Sequence, residues 1–120
     1  VTFTEYGVED EMFRQASIYS YYYGLMSMAK KMVGERSVGL TRFMSKLRKE
    51  AKAASSVKLT AKDLDDLVFS DDQYAQRQMA LDDATFKYEM LKGLVRALEQ
   101  KKDMLQQVSA NKREETKLYK

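Results

Sequence analysis

From Val8 to about Ala54 an apolar side chain returns every seven residues: Met12, Tyr19, Met26, Val33, Leu40, Leu47 and Ala54. Ala16, Tyr23, Met44 and Ala51 supply a second row four residues on. Only a helix brings residues so spaced onto one side, so the pattern predicts a coiled-coil-type helix over about residues 8–54. A second stripe, Tyr74, Leu81, Tyr88 and Val95 with Ala84, Leu91, Leu98 and Leu105, predicts another helix over about 72–111. The remaining residues, 112–120, read as a polar tail. No proline interrupts either stripe. Gly34 and Gly39 are the places where the first helix is expected to bend.

The connector, about 55–72, carries two start signals. Thr60 with Asp63 is an acidic capping box that predicts a short helix over 61–69, and Ser70 with Gln73 is a second box for the second long helix. "VTFTEY" at the front alternates apolar and polar residues and suggests a short strand. The expected fold is all-α: a single domain over 1–120, built as a long helical hairpin with a short helix in its connector. Two rods with no third layer leave Phe13, Tyr21, Met28, Met32, Met79, Phe86, Met90 and Met104 uncovered. The expected remedy is a homo-oligomeric bundle or ring.

Composition closes several routes. At 44% hydrophobic and 32% charged residues the chain lies outside the disordered class. Cys and His are both absent, which removes disulfides, thiol nucleophiles, imidazole bases and Cys/His metal sites. "DLDDLVFSDD" has carboxylates but lacks the glycine and terminal Glu of a calcium loop. There is no phosphate-cradling glycine loop either. Neither an enzyme, a metal nor a cofactor is expected. No run approaches the roughly 18 apolar residues of a membrane span, and no secretory signal is evident. A soluble, cytoplasmic protein is the expectation.

Charge is strongly segregated. Residues 30–62 carry a net +8 and residues 63–89 a net −6, within a total of +3. Helix ends account for the acidic half, because Asp63, Asp65, Asp66, Asp71 and Asp72 fall at two helix starts. They do not account for the basic half, which begins at Lys30, about six turns before the end of its helix. On a wheel with Lys30 at zero, Arg48 falls at about 0°, Lys52 at about 40°, Lys31 and Lys49 at about 100°, Arg42 at about 120° and Lys46 at about 160°. Met32, Val33, Leu40, Phe43, Met44, Leu47 and Ala51 occupy about 200° to 320°, and Arg36 falls inside that arc. One side of the helix is thus kept almost free of carboxylate for about 35 Å.

An ordinary solvated face mixes signs, since Glu–Lys pairs four apart add support. Two readings meet this surface: a solvated helix face, and a face that holds a polyanion. For the second, nucleic acid is the commonest ligand, and no motif for base-edge readout is present. The candidate contacts are Arg42, Lys46, Arg48, Lys49, Lys52 and Lys58. Asp63, Asp65 and Asp66 are candidate contacts to a basic partner or neighbouring subunit. Tyr19, Tyr23 and Tyr88 sit on the apolar stripes as packing or interface residues. A purely structural coiled coil, such as a phage scaffold, an assembly chaperone or a secretion-apparatus component, shares every feature except DNA affinity.

The run "ATFKYEMLKGLVRALEQKKDMLQQVSANKRE" resembles the C-terminal helix of UvsY-type phage recombination mediators. In that family an aromatic motif leads into a leucine-rich helix with a basic close. Here Phe86, Lys87 and Tyr88 lead into Leu91, Leu94, Leu98 and Leu105. A tyrosine-bearing first helix, a Lys/Arg-rich stretch and an Asp-containing connector precede it in the same order, over about residues 10–113. The resemblance implies a small oligomer that binds single-stranded DNA. It also implies contacts with a recombinase and a single-strand-binding protein, and help in loading the first onto DNA coated by the second. It implies the host cell cytoplasm as location. The family's basic contact motif corresponds to "KLRKEAK", in which Arg48 and Lys49 are the nearest match, with Lys46, Lys52 and Lys58 as neighbours. The spacing of the cations departs from the family's.

Overall fold

The computed structural model describes residues 5–118, all of them in or between three helices. They are α1 (Glu5–Ala54), α2 (Ala61–Phe69) and α3 (Asp72–Leu118). Among the described residues there is no strand; the strand suggested over 1–6 lies outside them at 1–4, and Glu5 already belongs to α1. The order long–short–long is that of a helical hairpin. α1 continues without interruption through Gly34 and Gly39, because neither glycine is called on for a left-handed turn.

The helix ends follow hydrogen-bond supply. Thr60 caps α2 as expected: its hydroxyl accepts from the Asp63 N–H at 3.2 Å, and Asp63 Oδ2 accepts from the Thr60 N–H at 3.1 Å. At α3 the expectation of a Ser70–Gln73 box fails. Asp71 is the cap, its Oδ1 accepting from the N–H groups of Gln73 at 2.8 Å and Tyr74 at 3.2 Å. A carboxylate is a stronger acceptor than a hydroxyl and also carries the charge a helix N-terminus favours. Ser70 instead closes α2, its hydroxyl donating to the Leu67 carbonyl at 3.2 Å. α3 runs past its expected end to Leu118. Its last turns are made of Lys, Arg and Glu, which are good helix formers, with Lys117 near Glu114 at 3.9 Å.

The chain forms two compact units, one of residues 1–27 and 89–120, the other of residues 28–88. In the first, Val8, Val95 and Leu105 are buried, and Met12, Tyr19, Tyr22, Met26, Leu91 and Leu98 are half-buried around them. The buried row of α1 here runs Val8, Met12, Gln15, Tyr19, Tyr22, Met26, the alternating four–three spacing of a coiled-coil seam. Ala16 and Tyr23, expected on this row, are exposed. A seven-residue repeat admits a companion row either three or four residues on, and Gln15 disguised the true one. Gln15 is only 6% exposed. Its Nε2 donates to Glu11 Oε1 at 3.1 Å, while its own Oε1 has no partner. Glu11 also takes Lys101 at 3.3 Å and an ion pair with Arg14. The bond from Arg14 is the main reason its carboxyl is held below the ordinary range, against an opposing push from desolvation.

In the second unit, Leu40, Leu64, Val68 and Ala84 are buried, with Val33, Phe43, Met44, Leu47, Ala51, Tyr74, Leu81 and Tyr88 half-buried. α2 spends Leu64 and Val68, four residues apart, on this core. The Arg77 guanidinium lies 4.6 Å from the centre of the Phe43 ring, a cation–π contact between α3 and α1. Many large apolar side chains stay on the surface of the two units. Phe13, Tyr21, Met28, Met79, Phe86, Met90 and Met104 are each more than half exposed.

Candidate nucleic-acid interface

The basic face lies wholly within the second unit, on α1 from Lys30 onward and on the connector. Because α1 is unbroken, the wheel positions read from the sequence hold along its length. Lys30, Lys31, Arg42, Lys46, Lys49, Lys52 and Lys58 are all exposed, the first six on α1 outside the arc of Leu40, Met44, Leu47 and Ala51 and the last on the connector. Among the described residues, Lys30, Lys31, Arg42, Lys49, Lys52 and Lys58 have no carboxylate within 4.0 Å.

Two candidates are engaged within the chain. Lys46 sits 4.0 Å from Glu50, one turn on, with both side chains largely in solvent. Such a pair is weak and exchanges readily. Arg48 differs. It lies at the edge of the basic face nearest the core, is half-buried, and donates to Asp65 Oδ1 of α2 at 2.9 Å. That bond ties α2 to α1, so the Arg48 charge is largely spent inside the protein. The free face is therefore centred on Lys49 and Lys52 rather than on the Arg48–Lys49 pair.

The acidic candidates divide in the same way. Asp63 is committed to the cap of α2, and the Thr60 backbone N–H is the main reason its carboxyl is held below the ordinary range. Asp65 is committed to Arg48. Asp66 is exposed, and its backbone carbonyl accepts from Ser70. Of the tyrosines, Tyr19 is internal to the first unit. Its hydroxyl donates to Glu99 Oε1 at 3.0 Å, which raises its pKa above the usual phenol value. Its ring tilts against Tyr23 at 5.8 Å. Tyr23 keeps nearly half its surface in water, and Tyr88 is half-buried in the second unit. The sequence reading missed Glu99 and Lys101 as partners of α1. Both flank the buried row of α3, positions from which charged side chains reach a facing helix.

Lysine ammonium groups on flexible stems suit a repeating anionic backbone, which asks for charge within reach and little angular precision. No group of three or more carboxylates among the described residues is arranged to hold a metal ion. No helix among them is long and apolar enough to cross a membrane. No protein-family model, curated protein or solved structure matches this chain.

Proposed function

We propose that this protein self-associates, binds single-stranded DNA without sequence preference through the lysine-rich face of α1, and acts as a recombination mediator. The observation that carries the binding is the set of exposed cations Lys30, Lys31, Arg42, Lys49 and Lys52 on one unbroken helix, none of them with a carboxylate of the described residues within 4.0 Å. Each such charge raises the electrostatic cost of isolated folding, and a polyanion repays it by releasing its counterions. Self-association is supported by the exposed Phe13, Met28, Met79, Phe86, Met90 and Met104. Repeating a weak patch around an assembly multiplies its avidity. The mediator role, with a recombinase and a single-strand-binding protein as partners, rests on the resemblance of the α3 segment to UvsY-type proteins.

The test is a salt titration of binding to a labelled single-stranded oligonucleotide. With about five phosphates engaged per protomer, the log–log slope is expected to be about −3.5. Absence of binding, or binding indifferent to salt, discards the DNA reading. It would leave the structural coiled coil, which the internal Arg48–Asp65 bond favours because it gives one basic-face cation a purely structural use.

A further inference from the structure

We propose that Arg36 and Arg77 form a site for a dianionic phosphate group, in a cleft between α1 and α3 of the second unit. The site goes beyond the lysine-rich face and uses none of its cations. Along α1, residues 33, 36, 40, 43 and 47 alternate by three and four, and so do residues 74, 77, 81, 84 and 88 of α3. Val33, Leu40, Phe43 and Leu47, like Tyr74, Leu81, Ala84 and Tyr88, are buried or half-buried within the unit. Each row is broken at one place by an exposed arginine, Arg36 in the first and Arg77 in the second. A seam position calls for an apolar side chain, so packing gives no reason for a cation at either.

The two interruptions share one space. Arg36 and Arg77 line a cleft of about 310 Å³, together with Met32, Gly39 and Leu40 of α1 and Ala80 of α3. The Arg77 guanidinium lies 4.6 Å from the centre of the Phe43 ring. Stacking of this kind fixes the plane of the group and leaves its N–H donors unused. Neither arginine has a carboxylate of the described residues within 4.0 Å. Glu35 also lines the cleft, but it is exposed, where water screens its charge. Two like charges brought to one cleft without a counter-ion repel, and a bound anion replaces that repulsion with attraction.

The donor set selects the ligand. A guanidinium presents paired N–H groups that match the oxygens of a phosphate or a carboxylate. Two guanidiniums balance a phosphomonoester, which carries about −1.5 to −2 at neutral pH, whereas a carboxylate leaves one of them uncompensated. The cleft lies at the lower end of the roughly 300–1,000 Å³ of small-molecule sites, which suits a phosphate group and little beyond it. Such a group is supplied by a free phosphate ester or by the phosphorylated end of a nucleic-acid strand.

The test follows the phosphorus NMR line width of methyl phosphate, titrated with the full chain at constant ionic strength and a pH where the probe is a dianion. Saturable broadening is expected. Arg36→Gln should weaken it roughly tenfold or more, as loss of a charge-assisted hydrogen bond does. Arg36→Lys keeps the charge without the planar fork and should recover only part. Gly39→Leu fills the cleft, since an added Cβ there meets nothing within 4 Å, and should abolish binding with both arginines in place. Circular dichroism confirms that each variant is helical. A parent signal that does not saturate overturns the proposal, as does parental binding by Arg36→Gln or Gly39→Leu. Loss of broadening in Lys49→Gln with Lys52→Gln overturns it too, by moving the phosphate to the lysine-rich face. Competition by a trinucleotide with a terminal phosphate, and not by one ending in hydroxyls, identifies a strand end as the source. Competition by neither identifies a free phosphate ester, and equal competition by both refutes selection of a dianion.

Discussion

Neutralising Lys49 and Lys52 tests the basic face at the level of single charges. Both are exposed on α1 with no carboxylate within 4.0 Å, so Lys49→Gln with Lys52→Gln removes two free cations without orphaning a partner. Five free cations on the basic face of α1, at about −0.7 in slope for each phosphate neutralised, give about −3.5 for the parent protein and about −2.1 for the double variant. Between 50 and 200 mM salt the parent should therefore lose roughly 130-fold in affinity and the variant only roughly 20-fold. Fluorescence anisotropy of a labelled oligonucleotide across that range reads both slopes. Arg48→Gln is the contrasting control. Its charge is committed to Asp65, so the slope should hardly move. Loss of the half-buried pair should lower stability by about 0.5–1 kcal/mol. Were Arg48→Gln to change the slope as much as the lysine pair does, the division of the face into free and committed cations would be wrong. Equal slopes for parent and lysine variant would remove these residues from the contact altogether.

Further outcomes follow from the helices themselves. Gly34→Ala should raise the thermal midpoint, gaining about 1 kcal/mol, because nothing lies within 4 Å of the added methyl. Gln15→Leu should stabilise the first unit by about 1 kcal/mol in denaturant titration, since it removes a buried oxygen that has no partner. The Asp63 carboxyl is held down in the folded protein, so its contribution is complete above the ordinary carboxylate range and disappears as pH falls through the depressed value. Asp63→Asn should therefore flatten the acid limb of the stability profile, read by circular dichroism between neutral pH and about pH 2.

Thr60 shows how much of the local structure could be read in advance. A hydroxyl three residues ahead of a carboxylate leaves the chain few other ways to satisfy its first N–H groups, and α2 spans the residues expected of it. Ser70 shows the limit. It carries the same kind of signal, yet Asp71 beside it binds two N–H groups more strongly, and the hydroxyl turns back to α2. Local chemistry names the candidates for a cap, and competition between neighbours picks one. The candidate site divides on the same principle. Lys49 and Lys52 were legible as free because their wheel positions lie outside the apolar arc of about 200° to 320°. Arg48, at the margin of the core, could be assigned only once α2 had brought Asp65 within 2.9 Å.

The repeat of seven by itself determined the two long helices, since no other backbone geometry gathers residues so spaced, and the absence of proline let them run their full length. The order of residues also placed most cations of α1 outside the apolar arc, Arg36 being inside it. Only the tertiary structure decided which companion row was buried, Gln15 and Tyr22 in place of Ala16 and Tyr23. Periodicity fixes a direction on a helix to within about one residue step, roughly 100°. The facing helix, with Lys101 and Glu99 on it, settles the remainder by where its own side chains reach.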